Sequence, residues 1–256
     1  MFWLFFLVFI IFLCYGSFLN MVAYRLISGD SLLIPNSFCP KCKHTIAWYD
    51  LVPILSWIIL RAKCRTCKSK ISYLYPFIEC FTAISFLTLF IAVPSYYWLG
   101  YGIFLSALIV TIRTDLETML ISRFATLFMI PFAFVFSAIN YIPINFYQSL
   151  SGSIFGYLIL WIVNKIFYAL KKQQGIGEGD FDLLAMIGSF TGIHGVWITL
   201  LLSSMLASVI SLFLIVLKKI TKNSMVPFGP FIAIGAIIYL FTNAYHINLL
   251  DYLLFW

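Results

Sequence analysis

Residues 2–24 contain no formally charged side chain. At 1.5 Å per residue an α-helix of this length crosses the hydrocarbon core of a bilayer, about 30 Å thick. No basic segment precedes the run and no small-residue cleavage site stands before Arg25, so it reads as a retained helix rather than a removed signal peptide. Seven further apolar stretches follow, roughly at 75–93, 96–112, 121–139, 149–170, 181–193, 196–217 and 230–246. The shortest, 181–193, contains Gly188 and Gly192, which neighbouring helices accommodate. The chain is 63% hydrophobic and 10% charged, with a mean hydropathy of +1.03, far from a soluble globular composition. The expected fold is an all-α polytopic membrane protein of about eight transmembrane helices.

Charge orients these spans. If segment 25–74 faces the cytoplasm and the chain alternates sides, the other cytoplasmic segments are 113–123, 171–180 and 218–229. Together with Lys165 on the last turns before 171, they hold all 16 Lys and Arg residues. The opposite side holds none, as the positive-inside rule requires. Both termini are then expected outside a cytoplasmic membrane. The net charge of +7 follows from this topology and from attraction to anionic lipid headgroups. No basic surface interleaved with aromatics accompanies it, so nucleic acid is not an expected partner.

The three expected parts are a first helix at 1–24, a cytoplasmic module at 25–74, and a bundle of about seven helices at 75–256. The module contains "CPKCKH" and "CRTCKSK", which place Cys39, Cys42, Cys64 and Cys67 in two Cys-x-x-Cys pairs. Each such turn presents two thiolates to one ion, and two of them make a tetrahedral zinc site. Redox dithiols or disulfides are the alternative, disfavoured by a reducing cytoplasm. A segment of this size with few aliphatics builds little core, so bound metal would take its place. Cys14 and Cys80 lie within predicted spans and read as packing residues.

The chain has nine carboxylates, and six of them gather at one predicted membrane face: Glu79, Asp115, Glu117, Glu178, Asp180 and Asp182. Ionisable groups in a membrane are costly, about 2.5–3.5 kcal/mol each at a helix centre and less near the interface. Simple helix capping explains any one of them: Asp180 before "FDLLAMIG" reads as an N-cap whose charge suits the helix dipole. Residues two apart on a helix point about 200° from each other. Asp115 and Glu117 therefore cannot both face inward, nor can Asp180 and Asp182. One inward carboxylate from each cluster makes a pair, and two close carboxylates share a proton, one acting as base on water while the other donates to a carbonyl. Gly177 and Gly179 permit close backbone approach just before Asp180.

The order of "GSFLNMVAYRL", the two knuckles around "DLVPILSWIILRAK", "ISYLYPFIE", Gly177-Glu178-Gly179-Asp180 with "LLAMIGSFTG", and "VPFGPFIAIGA" resembles the type IV prepilin peptidases over nearly the whole chain. The resemblance implies a membrane aspartic endopeptidase that removes short basic leaders from type IV prepilins and pseudopilins after a glycine, at the cytoplasmic membrane face. It implies that Asp115 and Asp180 are the catalytic pair and that Cys39, Cys42, Cys64 and Cys67 bind the metal. It also implies methylation of the new N-terminus from S-adenosylmethionine, for which no motif was found in the residues themselves. Glu79, Gly177 and Gly179 are expected in supporting roles. Two departures from the family pattern flank the pair: Ser122-Arg123 where many members have Pro-Asp, and Asp182 where many have Lys. Two other readings remain, a carboxylate-lined transporter and a non-catalytic zinc-bearing assembly factor. Against the transporter, the acids lie at one face rather than the midplane and no internal repeat is evident.

Overall fold

The structure is a computed structural model describing residues 2–31, 37–172, 175–219, 221 and 226–254, of which Phe2 and 244–254 as backbone only. Its helices are α1 (Phe2–Ser28), α2 (Leu55–Ile59), α3 (Leu74–Ala92), α4 (Trp98–Thr118), α5 (Arg123–Thr126), α6 (Met129–Ala138), α7 (Phe146–Lys171), α8 (Glu178–Val216) and α9 (Gly229–Leu254). Among the described residues there are no strands, only two isolated bridges, Phe38 with Thr45 and Lys63 with Lys70. Five helices are long and apolar enough to cross a membrane: α1, α3, Ser95–Thr118, α7 and α8. Two shorter apolar helical segments, Arg123–Ala138 and Gly229–Asn243, accompany them.

The expectation of eight spans meets its difference at α8. Stretches 181–193 and 196–217 form one helical run interrupted at Gly192, whose φ of 71° and ψ of −176° are not helical. A Cβ on Gly188 would lie 2.9 Å from Val196 Cγ2. In a straight helix residues eight apart are separated by about 12 Å along the axis. The run therefore bends sharply at Gly192, where a residue without Cβ takes a positive φ at no steric cost.

The chain divides into two compact units, residues 1–91 and 92–256. In the first, α1 and α3 approach closely at Gly16, where a Cβ would come within 2.8 Å of Glu79 Cα. Asn20 Nδ2 donates to the Tyr75 carbonyl at 3.1 Å, and Phe12 and Tyr15 both pack on Phe86.

In the second unit α7 and α8 form the most extensive helix pair. Ser149, Gly152, Ser153 and Gly156 make one small-residue face of α7 and are buried. Small residues let helix backbones touch where no hydrophobic effect drives association. A Cβ on Gly152 or Gly156 would strike backbone atoms of Gly188 and Gly192 or of Leu184. Ser149 Oγ donates to the Ser189 carbonyl at 2.5 Å. Phe104 of α4 stacks on Phe190 of α8 with centroids 4.6 Å apart, and Gly235 brings α9 against the Thr199 carbonyl. Large apolar side chains remain exposed on the outer faces, among them Leu7 and Ile11 on α1, Leu158 and Ile162 on α7, and Leu201, Val209 and Phe213 on α8. Lipid is the solvent such surfaces require.

Gly156→Leu drives a side chain into the α8 backbone and should lower the thermal unfolding midpoint in detergent by about 3–10 °C, the effect of overpacking by one residue in a chain of this size. Leu158→Ala, on the exposed face of the same helix, should leave the midpoint nearly unchanged. Equal shifts for both would refute the close α7–α8 contact.

Candidate active site

The two cysteine knuckles repeat one local geometry. Cys39 N–H donates to the His44 carbonyl and Lys43 N–H to the Cys39 carbonyl; Cys64 N–H donates to the Ser69 carbonyl and Lys68 N–H to the Cys64 carbonyl. Lys43 and Lys68, each following the second cysteine of its pair, take φ of 57° and 58°. This turn folds each Cys-x-x-Cys so that both sulfurs point the same way. One sulfur from each of the four cysteines lies within 4.8 Å of all the others, and Cys39 Sγ is 3.8 Å from Cys67 Sγ. Tetrahedral zinc with Zn–S bonds of about 2.3 Å sets its sulfurs about 3.8 Å apart. The donor set thus fits one four-coordinate ion.

Polar contacts tie this module together. The Arg65 fork donates to both Asp50 carboxylate oxygens, at 2.8 and 2.6 Å, and holds the Asp50 carboxyl below its usual range. Trp57 Nε1 donates to the Ile71 carbonyl. Glu79 Oε2, buried on α3, accepts the Ile54 N–H at 2.9 Å just before α2.

In the second unit Asp115 lies on the last turn of α4 and is 4% exposed. Met119 closes α4 with φ of 54°, its N–H donating to the Asp115 carbonyl at 2.9 Å. The Asp115 carboxylate lies against the backbone of Gly229, at the start of α9. A Cβ on Gly229 would lie only 2.6 Å from Asp115 Oδ2, so glycine is what lets the helix start close on this carboxylate. Glu117 turns away, exposed and paired with Arg113.

Asp180 occupies the first turn of α8 and is 9% exposed. Gly177 is the N-cap, so Asp180 is the third helical residue rather than the cap that "GDFDLL" suggests. Its carboxylate turns back toward Gly177, with Oδ2 3.7 Å from where a Cβ on that residue would lie. Gly179, just before Asp180, and Gly229, against Asp115, both lie on Ile121. Asp182 is also buried, with Arg123 Nε 3.6 Å from Oδ2, and Arg123 Nη2 is 3.3 Å from Glu178 Oε2. Gly177 and Gly179 thus gather with Asp115 and Asp180, while Glu79 belongs to the first unit.

Two contributors escaped the sequence reading: Gly229 and Ile121. Gly229-Pro230 carries a visible signal, since proline at the first helical position marks a helix start; its partner 114 residues earlier in the chain does not announce itself. Ile121 lies against both Gly179 and Gly229 and has no distinguishing pattern. Nearby, α7 and the start of α8 enclose a cavity of about 380 Å³, walled by Tyr157, Trp161, Tyr168 and Phe181 with Asn164, Lys165 and Glu178 as its polar groups. Asn164 Oδ1 accepts the N–H groups of Gly175 and Ile176, fixing the segment that leads into α8.

Residues 10–93 match the bacterial peptidase A24 N-terminal domain and residues 102–212 match the type IV leader peptidase family. Three relatives carry the name prepilin leader peptidase/N-methyltransferase. That of Aeromonas salmonicida (strain A449) is 33% identical over 91% of this chain and 89% of its own length. That of Klebsiella pneumoniae is 36% identical over 75% and 87%, and that of Pseudomonas aeruginosa 30% identical over 86% and 84%. No solved structure matches the chain. A match covering nine-tenths of the chain and running through both the cysteine module and the paired carboxylates places this protein in the type IV leader peptidase family.

Proposed function

We propose that this chain is a membrane-embedded aspartic endopeptidase that cleaves the leader from type IV prepilins or pseudopilins after a glycine and methylates the new N-terminal amine. The observation that carries the peptidase reading is the placement of Asp115 and Asp180, both buried at helix ends whose adjoining glycines, Gly229 and Gly179, meet on Ile121. In the proposed reaction one carboxylate takes a proton from water, whose oxygen attacks the scissile carbonyl carbon. The other carboxyl donates its proton to the carbonyl oxygen. Collapse of the tetrahedral intermediate breaks the C–N bond, and the departing amine takes a proton back from the pair.

Zinc held by Cys39, Cys42, Cys64 and Cys67 has a structural role in this reading, because four thiolates leave no open position for a catalytic water. S-adenosylmethionine enters this reading through the name of the relatives, prepilin leader peptidase/N-methyltransferase. That donor would supply an electrophilic methyl group to the free amine. The placement of every Lys and Arg in four alternate segments supports a cytoplasmic membrane location with the module and the carboxylates at the cytoplasmic side. It also supports eight crossings, with α8 contributing two limbs about Gly192.

Asp115→Asn and Asp180→Asn should each abolish leader removal, measured by mass spectrometry of a prepilin incubated with purified protein, and leave the protein inserted and folded. Because a dyad acts as a unit, the double variant should be scarcely slower than either single one, by less than about twofold. Glu117→Gln should retain most activity. Near wild-type cleavage by either asparagine variant would remove that residue from the catalytic pair.

Elemental analysis should find about one zinc per chain, the content of a single tetrathiolate site. Cys39→Ser and Cys64→Ser should lower it and open 25–74 to limited proteolysis, since ligand bonds stand in for a core there. A metal-free protein equally resistant in that segment would defeat the structural-zinc reading. Cysteine-accessibility mapping should place the 94–95 turn and the C-terminus outside; a cytoplasmic C-terminus would mean an odd number of crossings.

A further inference from the structure

Between α4 and α5 the chain runs only from Met119 to Ser122, yet it touches both helix starts that hold the carboxylate pair. A Cβ on Gly179, the residue before Asp180, would lie 2.9 Å from Ile121 Cβ. A Cβ on Gly229, which lies against the Asp115 carboxylate, would lie 3.0 Å from Ile121 Cδ1. One half-buried aliphatic side chain therefore stands against the α8 start at one end and the α9 start at the other. Its segment begins at Met119, whose N–H is bonded to the carbonyl of Asp115 itself.

The far end of the segment is fixed by charge. Arg123 pairs with Glu178 and Asp182, which are four residues apart and so share one face of α8. Asp180, two residues from each, points about 200° away from them. Arg123 thus grips α8 on one side and leaves Asp180 free to turn toward Asp115. It is 69% exposed, and exposed ion pairs contribute little to overall stability. Its contribution lies in where it holds the segment.

We propose that residues 119–123 are a spacer that sets the separation of Asp115 and Asp180, with Ile121 as the wedge between the two helix starts and Arg123 as the clamp that seats it. Both are positioning residues acting through Gly179 and Gly229. The inference rests on the dyad reading above.

The test measures kcat and KM for cleavage of one prepilin by purified full-length variants, each checked for an unchanged thermal midpoint in detergent. Arg123→Glu sets like charges together and should lower kcat about tenfold with KM within about twofold, the signature of a misplaced catalytic pair. Adding Asp182→Lys to Arg123→Glu restores opposite charges and should bring kcat back to within about threefold of wild type, as expected of coupled neighbours. Ile121→Ala should lower kcat about tenfold, while Ile121→Val, which keeps the branched Cβ against Gly179, should stay within about threefold. A doubly exchanged variant no faster than Arg123→Glu would overturn the clamp, and an unchanged kcat in Ile121→Ala would overturn the wedge. A loss confined to KM would also overturn the proposal, because the segment would then be contacting substrate. Asp115→Asn run alongside separates the two readings: if it still cleaves, the dyad assignment itself has failed, whatever the spacer variants show.

Discussion

Burying a carboxylate in a helical membrane bundle is costly, and three buried carboxylates among the described residues are set against the start of a helix. Glu79 accepts the Ile54 N–H before α2, Asp115 lies against Gly229 at the start of α9, and Asp180 turns toward the α8 N-cap Gly177. Helix starts have N–H groups with no partner inside the helix, and in the longer helices the dipole adds favourable potential for an anion. The fourth, Asp182, is answered by a guanidinium instead. The difference suits different roles. A backbone donor holds a carboxylate in place without a formal counter-charge, leaving it able to exchange protons, whereas an ion pair commits the group to its charged form.

That device works only where backbones come very close, and this accounts for where the glycines fall. Gly229 is required by the Asp115 carboxylate itself and Gly179 by Ile121, while Gly152, Gly156 and Gly188 bring α7 onto α8 behind the site. The first turn of α8 is thereby pressed from two sides. Its position then depends on contacts that a single methyl group would displace, which makes the geometry of the pair a property of the whole second unit rather than of two aspartates.

Local signals were legible in the sequence and distant ones were not. The cysteine knuckles could be read because both ligands of each pair and the turn between them lie within four residues, and the sulfurs do assemble as that spacing implies. Long apolar runs gave the helices, and reading 181–193 and 196–217 as two stretches put a boundary beside Gly192, where one residue with a positive φ interrupts α8. The helical 200° rule correctly separated Asp115 from exposed Glu117. It did not foresee that Asp182 would be buried, because its partner Arg123 is 59 residues away. The contacts of Gly229 with Asp115 and of Ile121 with Gly179 were hidden for the same reason, since each joins residues far apart in the chain.

Ser122-Arg123 and Asp182 looked in the sequence like two unrelated departures from the family's pattern. In the structure Arg123 and Asp182 are partners, with Nε 3.6 Å from Oδ2. A lone basic residue placed beside two acids at this position would pull on the pair electrostatically and spread its effect to Asp180. Paired on the other face of α8, its charge is largely answered by Glu178 and Asp182 before it reaches the side of Asp180. The departures therefore change the sign of individual positions while the local balance is kept, and it is that balance, more than either residue, that the chemistry of two neighbouring carboxylates demands.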